Sequence, residues 1–124
     1  MRILLDTHIS LWSLSSPSKL SASARKQINA AEVFVNAASI WEISIKCSIG
    51  TLDAKPVEVL NGVSAAGFEL LPITREHAAK IAELPSMHKD PFDRMLLARA
   101  TVEPMILLTN DELLRAYGSL VMIA

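Results

Sequence analysis

The sequence predicts an α/β fold in which helices cover both faces of a parallel β-sheet. Short apolar runs alternate with longer segments of helical periodicity along the 124 residues, which is the order expected of repeated βα units. The apolar runs are hydrophobic throughout rather than on one side only, as strands buried on both faces are. A chain of this length forms one core, so we expect a single domain over residues 1–124.

Five apolar runs are the predicted strands. The first run ends at Asp6, and Pro72 limits the third. Pro104 precedes the fourth run, and Gly118 stands shortly before the fifth. Glycine and proline are the strongest signals for the points where regular structure stops. The predicted strands are residues 2–5, 33–35, 68–71, 105–108 and 120–123.

Helices are predicted between the strands from capping residues and from apolar positions that recur every three or four residues. Ser21 is a predicted N-cap, and Gly67 is a predicted stop. Pro91, which follows Asp90, favours the start of the best-defined helix, since proline suits the first helical position. The predicted helices are residues 21–30, 36–49, 56–66, 74–82, 91–103 and 109–117, with a short helix or turn at 8–15 and a loop at 85–89. The predicted apolar side of helix 56–66 is Val57, Leu60 and Val63.

Residues 36–49 have two possible periodicities. Trp41, Ile45 and Ile49 recur every fourth residue, as on one face of a helix, but residues 43–49 also alternate as a strand would. A helix is favoured because Asn36 is a suitable N-cap and Gly50 a suitable stop.

Composition and charge narrow the functional classes. Twelve basic and 13 acidic residues give a net charge of −1, which counts against a protein that binds nucleic acid through charge alone. Neither a membrane-spanning helix of ~20 apolar residues nor a secretory signal is predicted. The single Cys47 cannot form an internal disulfide, which favours a reducing cytoplasm. A hydrophobic content of 51% predicts apolar surface that a partner chain or a second copy covers.

Four acidic residues stand where a parallel sheet would bind a ligand. Asp6 directly follows the first strand, and Asp111 follows the fourth, at the edge where open α/β sheets bind ligands. Glu42 and Asp93 lie within helices among apolar neighbours, with no obvious basic partner for each acid. Buried unpaired charges are very costly, and a hard divalent cation with oxygen ligands would satisfy these acids together. We therefore predict one or two Mg²⁺ or Mn²⁺ ions, which can activate water and stabilise charge on a phosphate.

The segments around these acids resemble the four signature blocks of VapC-like PIN domains. The blocks are LLDTH at residues 4–8, SIWEI at 39–43, DPFDRML at 90–96 and TND at 109–111. They occur in that family's order, and the similarity spans nearly the whole chain. The resemblance implies a Rossmann-like sheet of five parallel strands in the order 3-2-1-4-5. It also implies a homodimeric toxin that cleaves single-stranded RNA and is inhibited by a cognate antitoxin.

The resemblance assigns metal binding and catalysis to four acids, with three further residues in accessory roles. Asp90 matches a second acid frequent in this subgroup, with an outer or capping role. Thr7 and Thr109 match small hydroxyl positions beside the metal-binding acids and could hydrogen-bond a carboxylate or the phosphate. The four metal-binding acids are Asp6, Glu42, Asp93 and Asp111.

The acids also have structural alternatives. Asp90 and Asp111 could each cap a helix. Glu42 stands four residues before Lys46, so the two could form an ordinary exposed helix pair. Asp6 is the hardest to explain without a ligand, because it closes a buried strand.

Other polar and aromatic residues carry weaker expectations. For His8, His77 and His88 we expect solvent or loop roles rather than zinc binding, with a contact to the metal ligands possible for His8. Trp12 and Trp41 are interpreted as packing or partner contacts, since aromatic residues make up only 5% of the chain. Four basic residues could bind RNA phosphates or lie on solvated faces, and for Arg99 we favour the solvated face. The four are Lys46, Lys89, Arg94 and Arg99.

Three functional classes compete. The first is the metal-dependent nuclease. A phosphoryl-transfer enzyme of a related fold is disfavoured because His8 occupies the place of the second acid that a haloacid-dehalogenase-type phosphatase needs. Residues 70–73 likewise lack the acid of a response-regulator receiver. The third class is a non-catalytic binding module that keeps the PIN fold, against which the four intact acids argue.

Overall fold

The computed structural model describes residues 1–84 and 90–124. Its strands are β1 (Arg2–Leu5), β2 (Glu32–Asn36), β3 (Glu69–Leu71), β4 (Ile106–Thr109) and β5 (Val121–Ile123). Neighbouring strands all pair in parallel, in the order β3-β2-β1-β4-β5. The α/β class, the five strands and the strand order 3-2-1-4-5 are therefore confirmed. The loop predicted at 85–89, with His88 and Lys89, lies outside the described residues.

Three helices begin at a polar side chain that caps them, including the predicted caps Ser21 and Asn36. The side chains of Ser21, Asn36 and Thr74 each accept a hydrogen bond from a backbone N–H in the following turn. Each such bond satisfies an N–H that the helix itself leaves unpaired. The α-helices are α1 (Thr7–Ser15), α2 (Ala22–Ala30), α3 (Ala37–Ser48), α4 (Pro56–Ala65), α5 (Arg75–Lys80) and α6 (Pro91–Val102). Short 3₁₀ helices cover Pro17–Lys19, Ile81–Glu83 and Glu112–Leu120.

The core lies on both faces of the sheet, because successive side chains of a strand point in opposite directions. On one face, Leu4 of β1 packs in a cluster with Leu96 and Leu97 of α6. On the other face, Ile3 and Leu5 pack with residues of α1, α2 and α4. The side chains of Ile3, Leu4 and Leu5 are fully buried, so the first strand occupies the centre of the molecule. No helix in the two described stretches is both long and apolar enough to cross a membrane.

Two predicted apolar faces are placed differently from the expectation. Trp41 and Ile45 lie in α3 and Ile49 is its C-cap, and all three side chains are exposed. In α4 the buried residues are Val59 and Val63, while the predicted Val57 is 68% exposed. Tertiary packing decides which of several apolar stripes faces the core, and the helical period alone does not reveal it.

The last predicted helix is a 3₁₀ helix rather than an α-helix. It covers Glu112–Leu120 and is interrupted at Gly118, whose φ of 70° and ψ of −133° are not helical. A positive φ is easily reached by glycine because it has no Cβ. The helix is therefore interrupted at Gly118, where the chain turns before it enters β5.

The expectations for His77 and Arg99 were wrong, because both side chains are buried, at 2% and 5% exposure. The Arg99 guanidinium donates to the carbonyl oxygen of Pro72 at 3.2 Å, to His77 Nδ1 at 3.1 Å and to Glu103 Oε2 at 3.0 Å. Burial, followed by the charge of Arg99, lowers the pKa of His77. These residues join the end of β3 to α5 and α6 in a polar network within the fold, and Arg99 does not lie on a solvated face.

Candidate active site

A cavity of about 480 Å³ opens at the carboxyl ends of β1 and β4. It is lined by the four acids that the sequence singled out and by Asp90, which are therefore all brought to one place. Asp6 comes from the end of β1, and Asp111 follows β4. Glu42 projects from α3, and Asp93 from the first turn of α6. Carboxylates that are distant in the chain thus meet because parallel strands place their ends on one edge of the sheet.

Asp6 combines a structural and a chemical role. As N-cap of α1, its Oδ1 accepts a hydrogen bond from the backbone N–H of Ile9 at 2.8 Å. Its Oδ2 accepts a hydrogen bond from the hydroxyl of Thr109, at the end of β4. The residue is only 4% exposed, and burial raises the pKa of Asp6 despite both of these bonds. A charge this poorly solvated is one that a bound cation would stabilise.

Glu42 is buried and held on both oxygens. Thr7 donates its hydroxyl to Glu42 Oε1 at 2.7 Å, and Lys46 donates its ammonium to Oε2 at 2.7 Å. The helix pair considered from the sequence therefore forms, but its acid is buried rather than exposed. The expectation that the acids lack basic partners was wrong for Glu42. Of the two roles expected for the Thr7 hydroxyl, a bond to a carboxylate or to the phosphate, the structure shows the first.

The remaining acids show that capping and lining the cavity are compatible. Asp90 Oδ1 accepts hydrogen bonds from the N–H groups of Phe92 and Asp93, at 2.8 and 3.1 Å, and caps α6. Asp111 Oδ1 accepts a bond from the N–H of Leu113 at 3.0 Å. The charges of Asp90 and Asp93, after the hydrogen bond to Glu42, contribute to a raised pKa of Lys46. Several acids of the cavity therefore act together on the same lysine.

The donor set fits a hard divalent cation in its chemistry. Carboxylate oxygens are the ligands that Mg²⁺ and Mn²⁺ prefer, and five carboxyl groups, those of Asp6, Glu42, Asp90, Asp93 and Asp111, line this cavity. Over residues 1–84 and 90–124, however, no three side chains of the metal-binding types converge closely enough to hold an ion as they stand. A cation bound to these side chains as they stand would have one or two carboxylate ligands, with water completing its coordination.

The cavity also contains residues to which the sequence assigned no catalytic role. His8 and Trp12 both line it, and their rings lie 6.2 Å apart. Their spacing of four residues in α1, just after the capping Asp6, could have placed them here. Trp12 also packs against the core cluster, as expected, and the charge of His8 contributes to lowering the pKa of Asp6 against the larger effect of burial. Asn110 completes the lining beside Asp111.

Trp41 and Arg94 are not among the described residues that line the cavity. Trp41 is exposed and meets Phe92 edge-on, with ring centroids 5.1 Å apart, so it joins α3 to α6 as a packing residue. Arg94 donates to the backbone carbonyl of Ile81 at 2.7 Å. The Arg94 contact fastens the 3₁₀ helix Ile81–Glu83 to α6.

Comparison with known proteins agrees with this geometry. The family model described as PIN domain matches residues 3–120. Ribonuclease VapC22 of Mycobacterium tuberculosis (strain ATCC 25618 / H37Rv) is 31% identical over 118 residues, which cover 93% of this chain and 91% of that protein.

Solved structures share the fold at lower identity. A chain in the crystal structure of DNA-bound VapBC from Salmonella typhimurium aligns with a TM-score of 0.69 and 15% identity, covering 99% of this chain and 98% of that one. A chain of FitAcB from Neisseria gonorrhoeae aligns with a TM-score of 0.64 and 22% identity, covering 97% and 96%. With the family model spanning nearly its whole length, this chain belongs to the PIN domain family and, within it, to the VapC-like proteins.

Proposed function

We propose that this chain is a Mg²⁺-dependent endoribonuclease, with Mn²⁺ as an alternative ion, and the toxin of a type II toxin–antitoxin pair. One observation carries the proposal: carboxylates from β1, α3, α6 and the end of β4 line a single cavity. The 31% identical relative is named a ribonuclease, which supports the same reaction here. In this proposal Asp6, Glu42, Asp93 and Asp111 are the metal-binding and catalytic residues.

The chain's own residues would prepare the site before any substrate arrives. Thr109 and the N–H of Ile9 hold the carboxylate of Asp6, while Thr7 holds that of Glu42. Such fixed hydrogen bonds orient ligands and reduce the reorganisation needed on binding. A cation bound here would supply an activated water and would stabilise negative charge on the phosphate.

The proposal includes an antitoxin, a homodimer and a cytoplasmic location. Large apolar side chains are exposed on the two contacting helices α3 and α4, with Ile49, at the C-cap of α3, 66% and Val57 68% exposed. Exposed apolar surface of this kind is typical of a face covered by another chain. Fold neighbours include a toxin–antitoxin complex from Klebsiella pneumoniae, with a TM-score of 0.65 and 17% identity. We assign the α3–α4 face to the antitoxin.

The test is cleavage of single-stranded RNA by the purified chain. We expect cleavage with Mg²⁺ or Mn²⁺, none with EDTA, and none by Glu42→Gln, which keeps the size of the side chain and removes its charge. Glu58→Gln, on the exposed surface of α4, is the matched control and should cleave normally. Undiminished cleavage in EDTA, or by Glu42→Gln, would contradict the proposal.

The alternative is a non-catalytic PIN module that binds RNA or protein. It is favoured by the observation that no metal-binding set is assembled in the described parts of the chain. Expression of the native chain and of Glu42→Gln in a host cell separates the two functions. Growth arrest by the native chain but not by Glu42→Gln supports the nuclease, whereas equal arrest by both supports binding without catalysis.

A further inference from the structure

The cavity is strongly unbalanced in charge. The five carboxyl groups of its lining face one ammonium, that of Lys46, in the part of the chain that the structure describes. Phosphate is itself an anion, so a cavity with this charge would repel RNA unless cations stand between them. Lys46 is therefore the basic side chain best placed to act on both the acids and a substrate.

The Lys46 ammonium is a cation already in contact with Glu42, so a second cation at this carboxylate would compete with it. Thr7 holds Glu42 Oε1, and the Lys46 ammonium holds Oε2 at 2.7 Å. The carboxylate is buried, with its side chain 8% exposed, whereas the lysine side chain is 38% exposed. The ammonium therefore reaches Glu42 from the solvent side, and its withdrawal would uncover Oε2 without moving the helix.

We propose that Lys46 is the internal counter-ion of the acid cavity, that a divalent cation displaces it from Glu42, and that the displaced ammonium then binds a phosphate of the RNA. The first part concerns metal binding alone, and the last part rests on the proposed function. Lysine suits this role because its charge is compact and sits on a flexible stem. Four rotatable side-chain bonds let the ammonium move from the carboxylate to a ligand in the same cavity.

Metal affinity tests the displacement. Mn²⁺ binding, measured by loss of the free-ion EPR signal, is compared among the native chain, Lys46→Met, Lys46→Arg and Lys55→Met. Lys55 pairs with Glu58 at 4.0 Å on the exposed surface, so Lys55→Met controls for loss of a surface lysine. Without a competing cation beside it, Glu42 should bind the ion more tightly, and we expect about a tenfold lower Kd for Lys46→Met only. An unchanged or weaker affinity in Lys46→Met would overturn the proposal.

A measurement on the native chain needs no substitution. An ammonium held on a buried carboxylate is shielded from an acetylating reagent, so Mg²⁺ should accelerate acetylation of Lys46, followed by mass spectrometry. Lys55, whose partner Glu58 is exposed, should react at the same rate with and without Mg²⁺. Acetylation of Lys46 that Mg²⁺ leaves unchanged or slows would contradict displacement, even where Lys46→Met does not fold.

The RNA part of the proposal predicts effects of opposite sign in one variant. Lys46→Met should bind Mn²⁺ more tightly and yet show about a tenfold higher KM for RNA, because a phosphate contact is lost. Damage to the fold would weaken both interactions. RNA cleavage by the native chain with unchanged Mn²⁺ affinity in Lys46→Met would refute the inference and leave the proposed function intact. Mn²⁺ displacement of Lys46 without any RNA cleavage would do the reverse.

Discussion

At the scale of single residues, Asp6 serves the fold and the chemistry with different atoms. Its Oδ1 caps α1, and its Oδ2 accepts from Thr109 across the sheet edge. Capping needs only an acceptor oxygen, which asparagine also provides. Holding a cation needs the negative charge. The two roles can therefore be separated by a substitution that keeps the shape of the side chain.

We predict that Asp6→Asn folds as well as the native chain but loses metal binding. Burial raises the pKa of Asp6, which means that its charge is unfavourable in the metal-free fold. The metal-free unfolding midpoint should therefore not fall, while the stabilisation by Mg²⁺ disappears and RNA cleavage falls by about a hundredfold or more. Thermal melting with and without Mg²⁺ and a cleavage assay measure both. Full Mg²⁺ stabilisation of Asp6→Asn would exclude Asp6 as a ligand.

The lowered pKa of buried His77 predicts that the free energy of unfolding depends on pH. Its pKa is lowered from the ordinary value of 6.5 by burial and by Arg99, so the unfolded chain binds the proton more readily than the folded one. The stability that neutral His77 allows is thus present above pH 6.5 and is lost as the pH falls toward the lower folded pKa.

We predict that His77→Asn flattens this dependence. Asparagine keeps an acceptor for Arg99 but cannot be protonated, so the unfolding midpoint should fall less between about pH 7.5 and about pH 5.5 than in the native chain. Thermal melts of metal-free protein measure the slope. A native slope in His77→Asn would show that another group causes the pH dependence.

At the scale of elements, local signals predicted most of the structure. Ser21, Asn36 and Thr74 mark helix starts because a side-chain acceptor beside an unpaired N–H acts within a few residues. Contacts between distant elements left no such signal. The burial of Arg99 depends on Pro72 and His77, 27 and 22 residues away, and the sequence alone does not show that they meet.

The candidate site was predictable to a similar extent. Two acids that follow strands and two that lie within helices indicated one shared metal site, and the structure brings all four to one cavity. The spacing of Glu42 and Lys46 indicated their ion pair, but not that the carboxylate is buried. Burial depends on α1, which supplies Thr7 from 35 residues away. The sequence also does not reveal how far apart the acids stand, and among the described residues no three of them come close enough to enclose an ion.

The start of α6 allows a prediction about Asp90. If its role is to cap, Asp90→Asn should keep both stability and cleavage, while Asp90→Ala should lose about 0.5–2 kcal/mol of unfolding free energy. Ser21→Ala removes the cap of α2, on the side of the sheet away from α6, and should lower stability by a similar amount with cleavage unchanged. Urea unfolding and the RNA assay give the two values. Loss of cleavage in a stable Asp90→Asn would show that its charge takes part in the site.

At the scale of the whole molecule, the fold leaves two surfaces incomplete. The cavity is lined by acids whose negative charge attracts cations, and the neighbouring α3–α4 face exposes apolar side chains. Trp41 connects them, because it lies on the apolar face and packs against Phe92, next to the acids of α6. A chain that covered the apolar face would therefore also reach the rim of the cavity. Inhibition by a partner and burial of the apolar surface would then be the same event.

This connection predicts a separation of toxicity from inhibition. Ile49→Lys with Val57→Lys changes two of the most exposed apolar side chains and touches none of the acids. We expect the double variant to be more soluble alone and to cleave RNA normally, because its cavity is intact. It should escape the antitoxin, so that co-expression no longer rescues growth and co-purification fails. Lys19→Met with Lys26→Met changes exposed lysines on the 3₁₀ helix Pro17–Lys19 and on α2 and should remain inhibited. Full inhibition of the Ile49→Lys, Val57→Lys variant would show that the antitoxin binds elsewhere.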